Sequence, residues 1–215
     1  MSAPVLHAVL FDFDGTLAPN LDLPDMRRQV IALTRSAAVP ERVFADCYIV
    51  EVIDAAVAWL QGRDAQAAQA YCQAAHQLIL DIELEAAQST EPFPGIADKL
   101  DALRATGKRL GVVTRNCRDA VLQVFPSLMD HVDALHARDD TTHLKPDPRH
   151  LLTALQALDR DAADTAMVGD GALDMQAGRE LNMFCVGVLS GSTNARALQA
   201  AGADQIIAHC LDLDL

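Results

Sequence analysis

Two carboxylates close a short apolar run, residues 7–11 being followed directly by Asp12-Phe13-Asp14-Gly15-Thr16. Such a run reads as a buried strand feeding a tight loop, and Gly15 frees the backbone to turn sharply. Acid side chains two apart at a strand end suit group transfer at phosphorus. One carboxylate can attack the phosphorus atom while the other protonates the leaving oxygen and then deprotonates a water. An isolated copy of this segment reads as a capped turn, so its meaning depends on what the rest of the chain supplies.

Three distant segments supply it. Gly169-Asp170-Gly171-Ala172-Leu173-Asp174 adds two carboxylates four residues apart, a spacing that helix entry places on one side. Carboxylates converging on one point repel unless a hard cation sits among them, and oxygen-only ligands favour Mg²⁺ over zinc. Taken singly, Asp170 or Asp174 would also serve as a helix N-cap. Thr114-Arg115-Asn116 follows Leu110-Gly111-Val112-Val113. Its hydroxyl and the backbone N–H groups leading into the next helix can receive phosphate oxygens, or simply cap that helix. Lys145, one of three lysines and set beside Pro146 and Pro148, can neutralise charge developing on phosphorus or pair with Asp12; in isolation it reads as a solvated loop residue.

These residues need elements to hold them. Besides residues 7–11, short apolar runs at 109–114, 132–136, 165–169 and 183–189 read as strands, five in all. Helical patterns lie between them at 95–106, 118–125, 148–158, 172–181 and 193–201. Alternation of strand and helix predicts a parallel α/β sheet with helices on both faces, in which ligands bind at the carboxyl ends of the strands. Residues 21–89 differ. They are rich in Ala, Gln, Leu and Val, hold one glycine (Gly62), and read as three or four helices. Pro24 suits a first helical turn, and 39–41 and 61–64 look like breaks. The organisation expected is an α/β core over 1–18 and 91–215 with an inserted all-helical cap domain over 19–90, placed to act as a lid.

Composition narrows the partners. The net charge of −13 leaves nucleic-acid phosphates and anionic membranes little to bind. Five well-separated cysteines without a C-x-x-C suggest neither disulfides nor zinc, and no stretch approaches 18 uninterrupted apolar residues. A cytoplasmic setting is the expectation, with a small phosphorylated metabolite as partner and either a monomer or a dimer allowed.

In this order the motifs resemble the haloacid dehalogenase superfamily, where D-x-D-G-T is followed by a hydroxyl residue, a lysine and G-D-x-x-x-D. That resemblance implies a Rossmann-like parallel sheet with a helical cap after the first strand. It implies Asp12 as nucleophile, Asp14 as acid/base, Thr114 as phosphate ligand and Lys145 as charge stabiliser. Mg²⁺ would be held by Asp12, the backbone carbonyl of Asp14 and Asp170, with Asp174 nearby or acting through water, and with Gly15, Thr16, Arg115 and Asn116 completing the site. Asp14 and Asp170 argue against C–halogen cleavage, and the absence of lysine from 18–90 excludes imine-forming phosphonate cleavage. The chain looks closer to phosphoglycolate-phosphatase-like proteins than to mutases, although Arg115-Asn116 departs from the Asn-Lys those often show. A Mg²⁺-dependent phosphatase is therefore expected. A phosphoryl-transferring mutase of the same superfamily is an alternative, and a non-catalytic phospho-accepting regulatory domain is one from a different class. Substrate choice would lie with the cap cations Arg27, Arg28, Arg35, Arg42 and Arg63. His131, His136, His143 and His150 read mostly as solvated helix-face residues, and Trp59, Tyr48 and Tyr71 as packing between cap helices.

Overall fold

A computed structural model describes residues 5–215 as two compact units, one running through Leu21 and resuming over Ala87–Leu215, the other Asp22–Ala86. The first unit is built on six parallel strands in the order β3-β2-β1-β4-β5-β6. These are β1 (Ala8–Phe11), β2 (Arg109–Val113), β3 (Ala134–His136), β4 (Thr165–Gly169), β5 (Phe184–Val188) and β6 (Gln205–Ile207). Every residue of β1 and β4 is buried, as continuous apolar runs in a doubly covered parallel sheet should be. The sheet has one strand more than the sequence patterns suggest. β6 is a three-residue edge strand, too short to show a period.

The helices of this unit are α4 (Ile96–Ala105), α5 (Arg118–Val124), α6 (Leu128–His131), α7 (Arg149–Leu158), α8 (Ala172–Glu180) and α9 (Ala195–Ala201). α6 is a single turn that the apolar pattern did not reveal. In α7, His150, Leu151, Ala154, Leu155 and Leu158 form one buried stripe at helical spacing, and it packs on β2 and β3. With Leu10, Met167 and Met175, the apolar members Leu151, Ala154, Leu155 and Leu158 belong to one hydrophobic core cluster.

The second unit holds α1 (Leu23–Ser36), α2 (Ile49–Gln61) and most of α3 (Ala65–Ala87), with one 3₁₀ turn at Glu41–Val43. Asp22 caps α1 by accepting the Asp25 N–H at 2.9 Å, and a proline sits in the first turn. The Thr34 and Tyr71 hydroxyls meet at 2.6 Å, joining α1 to α3. Tyr71 is buried and Trp59 lies under the Arg63 guanidinium, but Tyr48 is 47% exposed, where burial between helices was expected. Among the described residues, no helix is long and apolar enough to cross a membrane.

Candidate active site

Asp12, Thr114 and Asp170 each occupy the first position past the carboxyl end of a strand, on β1, β2 and β4 respectively. Those strands are neighbours in register, with Phe11 opposite both Val112 and Val168, so the three side chains start from adjacent points. The strand order reverses at β1 and β4, the position where open parallel sheets bind ligands. The Asp12 N–H extends the ladder to the Val168 carbonyl at 2.9 Å. The Phe13 carbonyl then accepts the N–H groups of Thr16, Leu17 and Ala18, closing the turn at Gly15, whose φ is 78°. A side chain at Gly15 would strike Asp170 and Asn20, so close approach as well as φ demands glycine there. Thr16 is buried, and its hydroxyl has no hydrogen-bond partner among the described residues.

Lys145 reaches this point from the loop before α7. It is 1% exposed, and its Nζ donates to Asp12 Oδ1 at 2.8 Å, Asp174 Oδ1 at 2.6 Å and the Val113 carbonyl at 2.7 Å. Burial opposes its charge, yet the carboxylates of Asp12 and Asp174 outweigh burial and hold the ammonium above its ordinary pKa. The carboxyls go the same way. Burial and the neighbouring Asp12 push both Asp170 and Asp174 up, despite Lys145. One ammonium does not balance three carboxylates, and the repulsion from Asp12 adds to the upward push of burial.

Carboxylate oxygens of Asp12, Asp170 and Asp174 lie within 4.8 Å of one another. An all-oxygen, anionic donor set with a shortage of positive charge fits a hard divalent cation. Asp170 is fixed in place: its Oδ2 accepts the Asn20 amide at 3.2 Å and the Ser192 N–H at 3.0 Å, and a side chain at Gly191 would overlap its carboxyl group. Asp174, expected nearby or acting through water, is 2% exposed and bonded directly to Lys145. Its second oxygen accepts the Gly171 N–H at 3.0 Å, and Gly171, not an aspartate, is the N-cap of α8. Asp14 contributes no carboxylate oxygen to this cluster.

Asp14 instead turns to the β2 side, where the Asn116 amide donates to both its oxygens at 3.1 and 3.2 Å. Asn116 is itself fixed, its Oδ1 accepting the Cys117 N–H at 2.8 Å and its own N–H donating to Thr114 Oγ1 at 3.0 Å. Thr114 is therefore three residues short of the N-cap of α5, which is Cys117. Arg115 donates to the Lys145 carbonyl. Sequence reasoning brought Asp12, Asp14, Thr114, Lys145, Asp170 and Asp174 to one sheet edge, but missed the pairing of Asn116 with Asp14 and the roles of Asn20 and Ser192. It also set His150 on a solvated face, whereas His150 is fully buried. Four of the five cap arginines are committed within their own unit. Arg27 donates to the Cys47 carbonyl, Arg28 pairs with Asp25, Arg35 with Glu41, and Arg63 donates to the Trp59 carbonyl.

Residues 9–188 match the family model of haloacid dehalogenase-like hydrolases. A phosphoglycolate phosphatase of Caulobacter vibrioides is 28% identical over 95% of this chain and 88% of its own length. A plasmid-borne phosphoglycolate phosphatase of Cupriavidus necator is 36% identical over 54% of this chain, an alignment that spans about half of that relative, 51% of it. A solved structure described as a haloacid dehalogenase-like hydrolase from Bacteroides fragilis superposes with a TM-score of 0.65 at 27% identity, covering 95% of this chain and 97% of that one.

Proposed function

The chain belongs to the haloacid dehalogenase-like hydrolase family, and from that premise we propose that it is a Mg²⁺-dependent phosphatase acting on a phosphate monoester of a small metabolite through an aspartyl-phosphate on Asp12. The observation that carries this reading is the buried Lys145 Nζ, 2.8 Å from Asp12 and 2.6 Å from Asp174. A buried ammonium clamped to a carboxylate at a strand end keeps that carboxylate aimed, and it can follow negative charge onto a phosphoryl oxygen.

In the first half-reaction the Asp12 carboxylate forms a bond to phosphorus as the ester P–O bond breaks. Asp14 gives its proton to the leaving oxygen. In the second, Asp14 takes a proton from water as that water attacks phosphorus, the Asp12–phosphorus bond breaks, and inorganic phosphate leaves. Thr114 Oγ1 and Lys145 Nζ bind phosphoryl oxygens throughout. A Mg²⁺ held by Asp12, Asp170 and the backbone carbonyl of Asp14, with Asp174 beside it, would neutralise charge on the phosphoryl group. The five free cysteines suit a reducing cytoplasm.

Single-turnover hydrolysis of a ³²P-labelled ester, quenched in acid, tests this directly. The label is expected on the peptide that carries Asp12, in Mg²⁺-containing buffer and not after chelation. Label on another residue, or turnover unaffected by chelation, would overturn it. Steady-state rates on a panel beginning with phosphoglycolate, followed by pyrophosphate and sugar phosphates, then identify the ester. Isomerisation of a sugar phosphate without release of phosphate would mark a mutase instead.

A further inference from the structure

His150, in the first turn of α7, is 0% exposed and belongs to none of the roles assigned above. Its Nδ1 accepts the backbone N–H of Lys145 at 3.3 Å. Its Nε2 lies 3.3 Å from the His136 carbonyl, which can only accept, so the ring proton sits on Nε2. That carbonyl, at the end of β3, also accepts the Thr114 N–H at 3.0 Å. One imidazole thus joins the lysine loop to the atom on which the phosphate-binding threonine is anchored.

We infer that His150 is a positioning residue for the chemistry at Asp12: it ties the Lys145 backbone to the carbonyl that anchors Thr114, so that charge stabiliser and phosphate ligand keep one spacing. This rests on the phosphatase reading. Every polar group of Lys145 is then accounted for. The N–H goes to His150, the carbonyl receives Arg115, and Nζ is shared among Asp12, Asp174 and Val113. A lysine held at both its backbone and its tip cannot swing away when a phosphoryl group arrives, and catalytic groups lose effect steeply once misplaced by about 1 Å. The ring suits the task because it carries an acceptor and a donor at opposite edges. Burial first, then the positive charge of Lys145, lowers its pKa to about 3 against the opposing hydrogen bond to the His136 carbonyl, so Nδ1 stays a free acceptor at neutral pH. Phenylalanine fills the space but offers neither partner. Asparagine keeps an acceptor near the Nδ1 position only.

The test compares His150→Phe and His150→Asn with the unaltered protein in Mg²⁺-dependent hydrolysis of p-nitrophenyl phosphate. For His150→Phe, kcat is expected to fall about 10- to 100-fold with KM changed less than about threefold, and His150→Asn is expected to recover at least about threefold of that loss. Undiminished kcat in a folded His150→Phe, or no difference between the two variants, would overturn the inference. Long-range ¹H–¹⁵N correlation on the unaltered protein covers the case in which the variants do not fold. A proton on Nε2 and a bare Nδ1 at neutral pH are expected, and a proton on Nδ1 would overturn it equally. If the unaltered protein releases no phosphate from any ester, the phosphatase reading falls while the tautomer result still reports on the tie itself.

Discussion

In the helical unit Arg35 and Glu41 meet at 2.9 Å with 61% and 57% of their side chains exposed. In the α/β unit Lys145 and Asp174 meet at 2.6 Å with 2% and 3% exposed. Distance alone would rank these pairs alike, yet their energetics are opposite. The exposed pair gives up little hydration and gains little, since salt and water screen it. The buried pair loses the hydration of both ions, and a well-packed apolar pair in its place would commonly be as stable or more so. Buried charge that brings so uncertain a gain in stability points to chemistry as the reason for its presence. The first prediction breaks the buried arrangement at its centre. Asp12→Asn is expected to lower kcat for p-nitrophenyl phosphate by at least about 10⁴-fold, more than about 5 kcal/mol of transition-state stabilisation. The melting temperature is expected to change little, because the variant removes one negative charge from a cluster already short of positive charge. Steady-state kinetics beside a thermal melt measures both, and near-normal kcat would end the nucleophile assignment.

The same contrast bears on what the sequence could tell. The side chains that meet at the strand ends were legible because each follows an apolar run, and parallel strands in register must bring such positions together. The roles of their supports were not. Asn116 reaches Asp14 across 102 residues and Asn20 reaches Asp170 across 150, separations at which no local pattern links an amide to its acceptor. His150 was misread for another reason. Its spacing from the other histidines matches no metal motif, and a single histidine in an amphipathic helix does not announce on which side of the stripe it falls. In the helical unit the breaks at 39–41 and 61–64 were readable from proline and glycine. Tyr48 was not, because an aromatic residue at a helix N-cap carries no sign of its burial.

Acid should sharpen the comparison next, because the buried imidazole responds to pH in a way that exposed pairs do not. Folded His150 has a pKa lowered to about 3 from an ordinary 6.5, so below 6.5 the unfolded chain takes up a proton that the folded protein refuses. Its contribution to stability is complete above pH 6.5 and is lost progressively as pH falls toward 3. Between pH 6.5 and about pH 4 the loss is on the order of 3 kcal/mol. Urea titrations across that range should show a shallower decline in His150→Phe than in the unaltered protein. Equal slopes would mean that the imidazole is not held neutral.

A smaller effect is expected at Asn116, which is buried but uncharged. Asn116→Ala frees the Asp14 carboxylate from both amide contacts, and kcat should fall about tenfold, near 1.4 kcal/mol, with KM nearly unchanged. A rise in KM with kcat intact would show instead that Asn116 binds substrate.

The smallest effect belongs to the exposed pair. Arg35 places Nε and an NH₂ group on one oxygen of Glu41, at 3.0 and 2.9 Å, within hydrogen-bond distance on both. Both side chains are nevertheless more than half in water, so holding them together costs side-chain entropy for an attraction that solvent screens. Arg35→Ala should therefore change the unfolding free energy by less than about 0.5 kcal/mol and leave kcat/KM for p-nitrophenyl phosphate within about twofold. Urea denaturation and initial rates on the same preparation measure the two quantities together. A destabilisation above about 2 kcal/mol would place Arg35 among the cooperative contacts of its unit. A selective loss with one phosphorylated metabolite, aryl phosphate turnover being retained, would show that this exposed pair opens to bind that substrate.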